Sequence, residues 1–432
     1  MDNLKIVMIG AGSASFTAGL VADLLTSKSA DSYTVALCDI DQRALDVAHG
    51  LVRRMVEHLQ APVSIEASLD RCDLLPGAQV VVTTIAVGGR RGWEADITVP
   101  RQHGIYQPVG DTVMAGGISR ALRQIPPMLD IANDVHRLAP AAWFFNYANP
   151  MAAICRAVNK ATAQRIIGLC HGVQGTHRYL ASFIGVPVEE TTILYCGMNH
   201  LTFITEFRRE GEDLWPQVRA KLQAEPPMDD RFSWELFQTY GAFPAVLDRH
   251  VTEFFPERIP GGNYYGQLIG VDTWNILEVI EGGDARYAKM AAMADGTEPL
   301  EENLLQRTLG EHESLIPILE SMVDDRQALF PMNTPNETVA GIPAGFVLEM
   351  PTVACRAGCV PIALPPLSPG VLAVINEALY GVEITVEAAL TGDYDTLVQA
   401  LLFDGCVTEL ATARRLADDL LAAHREHLPQ FR

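Results

Sequence analysis

No uninterrupted apolar stretch in the 432-residue sequence reaches the roughly 20 residues that a membrane-spanning helix needs. The first apolar run, Leu4–Ile9, is short and lacks a basic leader, so no signal core is expected there. Basic runs are missing too. The chain has 32 Lys and Arg against 53 Asp and Glu, a formal net charge of -21. That surface repels phosphate backbones and anionic headgroups, which argues against nucleic acid and membranes as partners. The eight cysteines, at positions 38, 72, 155, 170, 196, 355, 359 and 406, are too scattered for a disulfide framework. Cys355 and Cys359 lack a nearby histidine or second cysteine pair, which argues against a zinc knuckle. A cytoplasmic protein with reduced thiols is expected. Long polar tracts and internal repeats are absent as well. With 48% hydrophobic residues, the chain can bury a large core and divide into two or three units.

The N-terminal part alternates strand and helix. Strands are predicted at Lys5–Ile9, Thr34–Leu37, Val80–Ile85 and Ala142–Phe145, and helices at Ser15–Ser27, Leu45–Leu59 and Leu129–Leu138. Alternation of this kind predicts an α/β, Rossmann-like, doubly wound domain, placed at residues 1–195. The remainder, 196–432, is less regular. It reads as an α+β substrate or oligomerisation domain, with strands near Val347–Val353 and Val360–Ala363 and closing helices at Asn376–Leu390 and Tyr394–Leu402.

Several polar segments interrupt this apolar pattern. Gly10-Ala11-Gly12-Ser13 lies between the first strand and helix, where glycines permit a tight turn against a pyrophosphate. Asp39 ends the second strand, where a carboxylate can accept from a ribose diol; an acid there favours NAD over NADP. Asn149, before Pro150, is held out of helical geometry and can read ligand hydroxyls, or simply form a turn. Cys170 and His200 each follow an apolar strand, and could share a divalent ion or be a buried thiol and a hydrogen-bonded imidazole. Asp111 lies in a turn-rich segment. Asp248-Arg249-His250 places three titratable groups beside an apolar run, which a surface ion pair would also explain.

These pieces occur in one order: GAGS, YxxVGD, NYxNPM, CHGV, GMNH, TYGxxP, DRH. That order resembles glycoside hydrolase family 4 over nearly the whole chain. Leu364-Pro365-Pro366-Leu367 and the stretch Val386–Asp393 agree with it. The resemblance implies a glycosidase that depends on NAD and a divalent metal, usually manganese, and departs from two-carboxylate hydrolysis. Hydride leaves C3 of the sugar, the C2 proton becomes acidic, the leaving group is eliminated, water adds at C1, and the hydride returns. By resemblance, Cys170 and His200 are metal ligands, and Gly10, Gly12, Ser13 and Asp39 bind the dinucleotide. Asn149 and Asn199 read the sugar. Asp248 is the expected base, with Tyr240 in reserve. Asp111 is the expected leaving-group acid or water-positioning group, with His171 second. Cys170-His171-Gly172-Val173 resembles members acting on unphosphorylated α-glycosides, and the stretches 104–112 and 239–256 look most like the α-galacturonidase branch. Arg249 or Arg120 would then meet the C6 carboxylate. Gly172 stands where that branch carries an acid, so α-glucoside, α-galactoside, α-glucuronide and a sulfonated sugar stay open. A lactate- or malate-type dehydrogenase is the alternative enzyme and a non-catalytic sugar sensor the alternative binder. The resemblance also implies a homodimer or homotetramer.

Overall fold

Aliphatic and β-branched runs build six parallel strands: β1 (Leu4–Ile9), β2 (Tyr33–Cys38), β3 (Val63–Ser68), β4 (Val80–Thr83), β5 (Trp143–Asn146) and β6 (Ile167–Gly168). They lie in the order β3-β2-β1-β4-β5-β6. The computed structural model describes residues 3–27, 29–30, 32–305 and 314–431. Every residue of β2 and β4 is buried, because helices cover both faces of the sheet. Alternate side chains feed two cores. Val7, Ile9, Ala36 and Val81 meet Ile118, Leu122, Ile154 and Ile375 on one side. Ile6, Met8, Val35 and Val82 meet Leu20, Leu24, Leu51 and Met55 on the other. The strand order reverses between β1 and β4, which opens a crevice at their carboxyl ends.

The sheet does not stop at β6. Strand Ala328–Pro335 pairs antiparallel with β6, and Val347–Cys355 pairs antiparallel with it. Next come β7 (Thr191–Met198), β8 (Leu201–Arg209) and the short strand Phe243–Pro244. One row of partners, Gly168, Asn333, Glu349 and Gly197, carries the pairing from the parallel half to the β7–β8 hairpin. Residue 195 falls within β7, and the sheet is continuous across it.

The helix expected at Leu129–Leu138 is the end of a longer one, Met114–Leu138. Gly116, Gly117, Pro126 and Pro127 hide its first half from a propensity reading. Among the described residues, no helix is long and apolar enough to cross a membrane.

Candidate active site

The turn after β1 is shaped for a dinucleotide. Gly10 has φ +91°, and the N–H groups of Gly10 and Ala11 donate to Cys38 O at 2.9 and 3.0 Å. Gly12 N donates to Asp39 Oδ2 at 2.8 Å. A Cβ on Gly12 would stand 2.5 Å from Ala44 Cβ and 2.9 Å from that carboxylate oxygen. Ser13 Oγ accepts from Phe16 N at 3.3 Å, just before helix Thr17–Thr26. Thr84 Oγ1 donates to Gly10 O at 2.8 Å and ties the β4 exit to this turn. Glycines at 10 and 12 let the turn pack tightly against Ile85, Ala44 and Asp39, and a turn so held beside a carboxylate at the tip of β2 fits a pyrophosphate and its ribose. Ile40, next to Asp39, is 91% exposed and adds an apolar surface that reading the motif alone overlooks. Gly12→Ala is expected to weaken dinucleotide binding at least tenfold, about 1.4 kcal/mol. Equilibrium titration would test this, and wild-type affinity in the variant would remove the assignment.

A second group forms around Asp111. One ligand atom each from Asp111, His200 and His250 lie within 4.8 Å of one another. His200 occupies the two-residue turn between β7 and β8 at φ +66°, a backbone state that few non-glycine residues adopt. Its imidazole centroid lies 4.3 Å from that of His250. The Thr112 hydroxyl bridges Asp111 Oδ1 at 2.8 Å and His200 Nδ1 at 2.7 Å. A hydroxyl has one proton. If it donates to the carboxylate, it accepts from Nδ1–H, which leaves the His200 Nε2 lone pair free. Asn149 Nδ2 donates to Asp111 Oδ2 at 2.9 Å. Nδ1 of His250 is buried with no hydrogen-bond partner.

Charge suits the same reading. Burial pushes the imidazoles of His200 and His250 down, against the pull of Asp111, so both stay neutral; the His171 charge adds to the depression. Burial pushes the Asp111 carboxyl up, but the pull that His200 and His250 exert when protonated, the Arg120 charge and the Thr112 hydrogen bond outweigh it and hold it low; with the imidazoles neutral, Arg120 and Thr112 keep that pull. Two neutral imidazoles, one carboxylate and an orphaned ring nitrogen fit a divalent cation.

Behind this group lies a buried polar row. Glu349 accepts from Thr202 Oγ1 at 2.6 Å, Asn333 Nδ2 at 3.2 Å and Asn199 Nδ2 at 3.3 Å. Burial pushes its carboxyl up against those hydrogen bonds. Oδ1 of Asn149 and Oδ1 of Asn199 are buried without partners. Arg120 Nε donates to Asn149 O at 3.1 Å, and Arg249 Nε is buried without a partner. Glu253 accepts from Val109 and Gly110 N–H, and burial, then the Asp111 charge, pushes its carboxyl well above the usual range.

Other expected residues are not among these three clustered groups. Cys170 is half-buried on the loop after β6 and is not one of the three clustered ligands; its Sγ accepts from Gly172 N at 3.4 Å. His171 beside it is exposed. Asp248, expected as base, is fully buried and committed elsewhere. Its carboxylate accepts from Phe232 N at 2.8 Å, Ser233 N at 2.7 Å, Ser233 Oγ at 2.6 Å and the Tyr264 hydroxyl. It thereby caps helix Arg231–Tyr240 from outside that helix. Tyr240 packs its ring against Phe203, at 6.1 Å between centroids. His250 was read from sequence only as one of three titratable neighbours. The signal that could have singled it out is its place beside Arg249 in a short polar run.

The description "Family 4 glycosyl hydrolase" matches residues 5–186, and "Family 4 glycosyl hydrolase C-terminal domain" matches residues 195–407. The chain is 31% identical to an alpha-galacturonidase of Thermoanaerobacterium saccharolyticum, over 99% of this chain and 97% of that one. It is 29% identical to an alpha-galactosidase of Bacillus subtilis, over 99% of this chain and 100% of the relative. Its fold matches the Thermotoga maritima 6-phospho-beta-glucosidase solved with manganese, NAD+ and glucose-6-phosphate. That match has a TM-score of 0.81 and 22% identity, over 98% of this chain and 99% of that one. With both halves matched in order, the chain belongs to glycosyl hydrolase family 4, as a glycosidase.

Proposed function

We propose that this glycosidase hydrolyses an unphosphorylated α-glycoside, an α-galacturonide, with NAD and a divalent ion such as manganese. When bound, the dinucleotide supplies a hydride acceptor for C3 of the sugar, and the ion supplies positive charge that acidifies the neighbouring C2 proton. The chain's own groups do the rest. Gly10, Gly12, Ser13 and Asp39 hold the dinucleotide at the strand-order reversal. Asp111, His200 and His250 hold the ion, with Cys170 on the adjoining loop as a further ligand. The unpaired Oδ1 atoms of Asn149 and Asn199 accept from sugar hydroxyls. Exposed His171 moves a proton at the open side. Asp248 would have to give up its capping bonds to act as base.

The observation that carries this reading is the Asp111–His200–His250 group, with orphaned amide oxygens around it. For the sugar, support comes from Arg249. It follows Asp248, precedes His250, and has no ion-pair partner among the described residues. A guanidinium left this way suits a C6 carboxylate.

The test is a panel of nitrophenyl α-glycosides, uronides included, with and without NAD and manganese. Galacturonide turnover should exceed that of the neutral sugars. Arg249→Gln should raise KM for the uronide about tenfold or more and leave neutral sugars unchanged, since a charge-assisted bond is worth ~1.5–3 kcal/mol. In deuterated water, product lacking deuterium at C2 would exclude the elimination route.

A further inference from the structure

The segment that carries Asp111 is held from both sides by acids, the buried Glu253 and the half-buried Asp404. Glu253 Oε1 accepts from Val109 N at 3.0 Å and from Gly110 N at 2.6 Å. Asp404 Oδ2 accepts from Met114 N at 2.8 Å. Between those points the backbone takes two left-handed turns, Gly110 at φ +64° and Met114 at φ +57°. For methionine this conformation persists only where the surroundings enforce it. Glu253 is 1% exposed and lies in the 3-10 turn Thr252–Phe254. That turn directly continues the helix Leu247–Val251, which carries His250. One side chain therefore joins the backbone beside Asp111 to the element bearing His250.

We infer that Glu253 is a positioning residue: by binding the N–H groups of Val109 and Gly110, it fixes the separation of Asp111 from His250 before an ion arrives. This inference rests on the ion site proposed above. Both donors use the same oxygen, so the role needs one well-placed acceptor. Glutamine keeps a carbonyl oxygen at that distance. Aspartate withdraws it by one methylene, and leucine removes it and leaves two N–H groups unpaired in the interior.

The test measures manganese(II) binding to the full chain loaded with NAD, by calorimetry, with NAD affinity measured in parallel. Binding by the wild type and loss of binding in Asp111→Asn test the ion site itself. No binding by the wild type overturns that site, whatever the Glu253 variants do. Given a binding wild type, Glu253→Gln should stay within about twofold of it. Glu253→Leu and Glu253→Asp should weaken manganese by about 10-fold or more with NAD affinity kept, the scale typical of groups that orient metal ligands. If the leucine variant no longer binds NAD, the aspartate variant decides. Wild-type manganese affinity in Glu253→Asp overturns the inference. So does a Glu253→Gln variant as weak as Glu253→Asp, because the charge rather than the acceptor would then matter.

Discussion

Asp111→Asn is expected to weaken manganese binding by at least about 100-fold, the upper end of what orienting groups alone contribute, and to reduce hydrolysis at least as much. The variant preserves volume, so the argument turns on protons. Both oxygens of Asp111 accept: Oδ1 from the Thr112 hydroxyl and Oδ2 from Asn149 Nδ2. An asparagine has only one acceptor oxygen. If its NH2 faces Asn149, two donors collide at 2.9 Å. If it faces Thr112, the hydroxyl must accept there and turn its proton toward His200 Nδ1. The imidazole proton then moves to Nε2, and the free lone pair is lost. Either orientation damages the site twice, through the missing charge and through a misdirected neighbour. Dinucleotide binding should persist, because the Gly10–Ser13 turn is held by Cys38 and Asp39. Calorimetric titration of the variant with manganese decides the matter; an unchanged dissociation constant would sink the ion assignment. Cys170→Ser in the same series should abolish activity and keep NAD bound. Full activity there would confine the ion to Asp111, His200 and His250.

The nucleotide end was legible because local sequence dictates it. Lys5–Ile9, the glycine turn and Asp39 act through neighbours, and the structure places β1, β2 and Asp39 where alternation and motif put them. Strand β3 was missed because it lies at the sheet edge, with exposed and half-buried residues in place of a continuous apolar run. The single sheet running from β6 to β8 was also missed. Its link is the row Gly168, Asn333, Glu349 and Gly197, whose members are far apart in sequence and unremarkable in type. Asp248 shows how one residue type admits two readings: a carboxylate can cap a distant helix or remove a proton, and here its donors are Phe232, Ser233 and Tyr264. Gly172 is a subtler case. A Cβ there would stand 2.0 Å from Val246 Cγ1, and Val246 is a β-branched residue at φ +83°. Its missing side chain follows from a neighbour 74 positions on, held by Thr176 Oγ1 at 2.9 Å from Val246 N. The cysteine loop alone could not reveal that.

Asp96→Asn should cost about 3–5 kcal/mol of stability, the usual effect of breaking one side of a buried ion pair. Asp96 is fully buried and Arg123 is 1% exposed. Both guanidinium NH groups bind Asp96, each at 2.6 Å. Ser119 Oγ donates to Asp96 at 2.8 Å, and His424 Nε2 lies 3.1 Å from its Oδ1. The pair thereby joins helix Gly89–Gln102, helix Met114–Leu138 and the C-terminal segment. It also reaches the cofactor crevice. Arg123 Nε donates to Val87 O at 3.1 Å, and the adjacent Gln124 accepts from Val87 N at 3.0 Å and donates to Ile85 O at 3.1 Å. Those residues form the exit of β4, beside the glycine turn. With Asp96 neutral, a buried cation loses its counter-charge and shifts, and the β4 exit shifts with it. Urea unfolding should show the loss, and NAD affinity should fall in the same variant. The double variant Asp96→Leu/Arg123→Met removes both charges and should recover part of the stability, because no ion is left unpaired. It should not recover NAD affinity, since Val87 O still lacks its donor. Recovery of both in the double variant, or a single-variant loss below about 1 kcal/mol, typical of an exposed pair, would show that this ion pair does not brace the crevice.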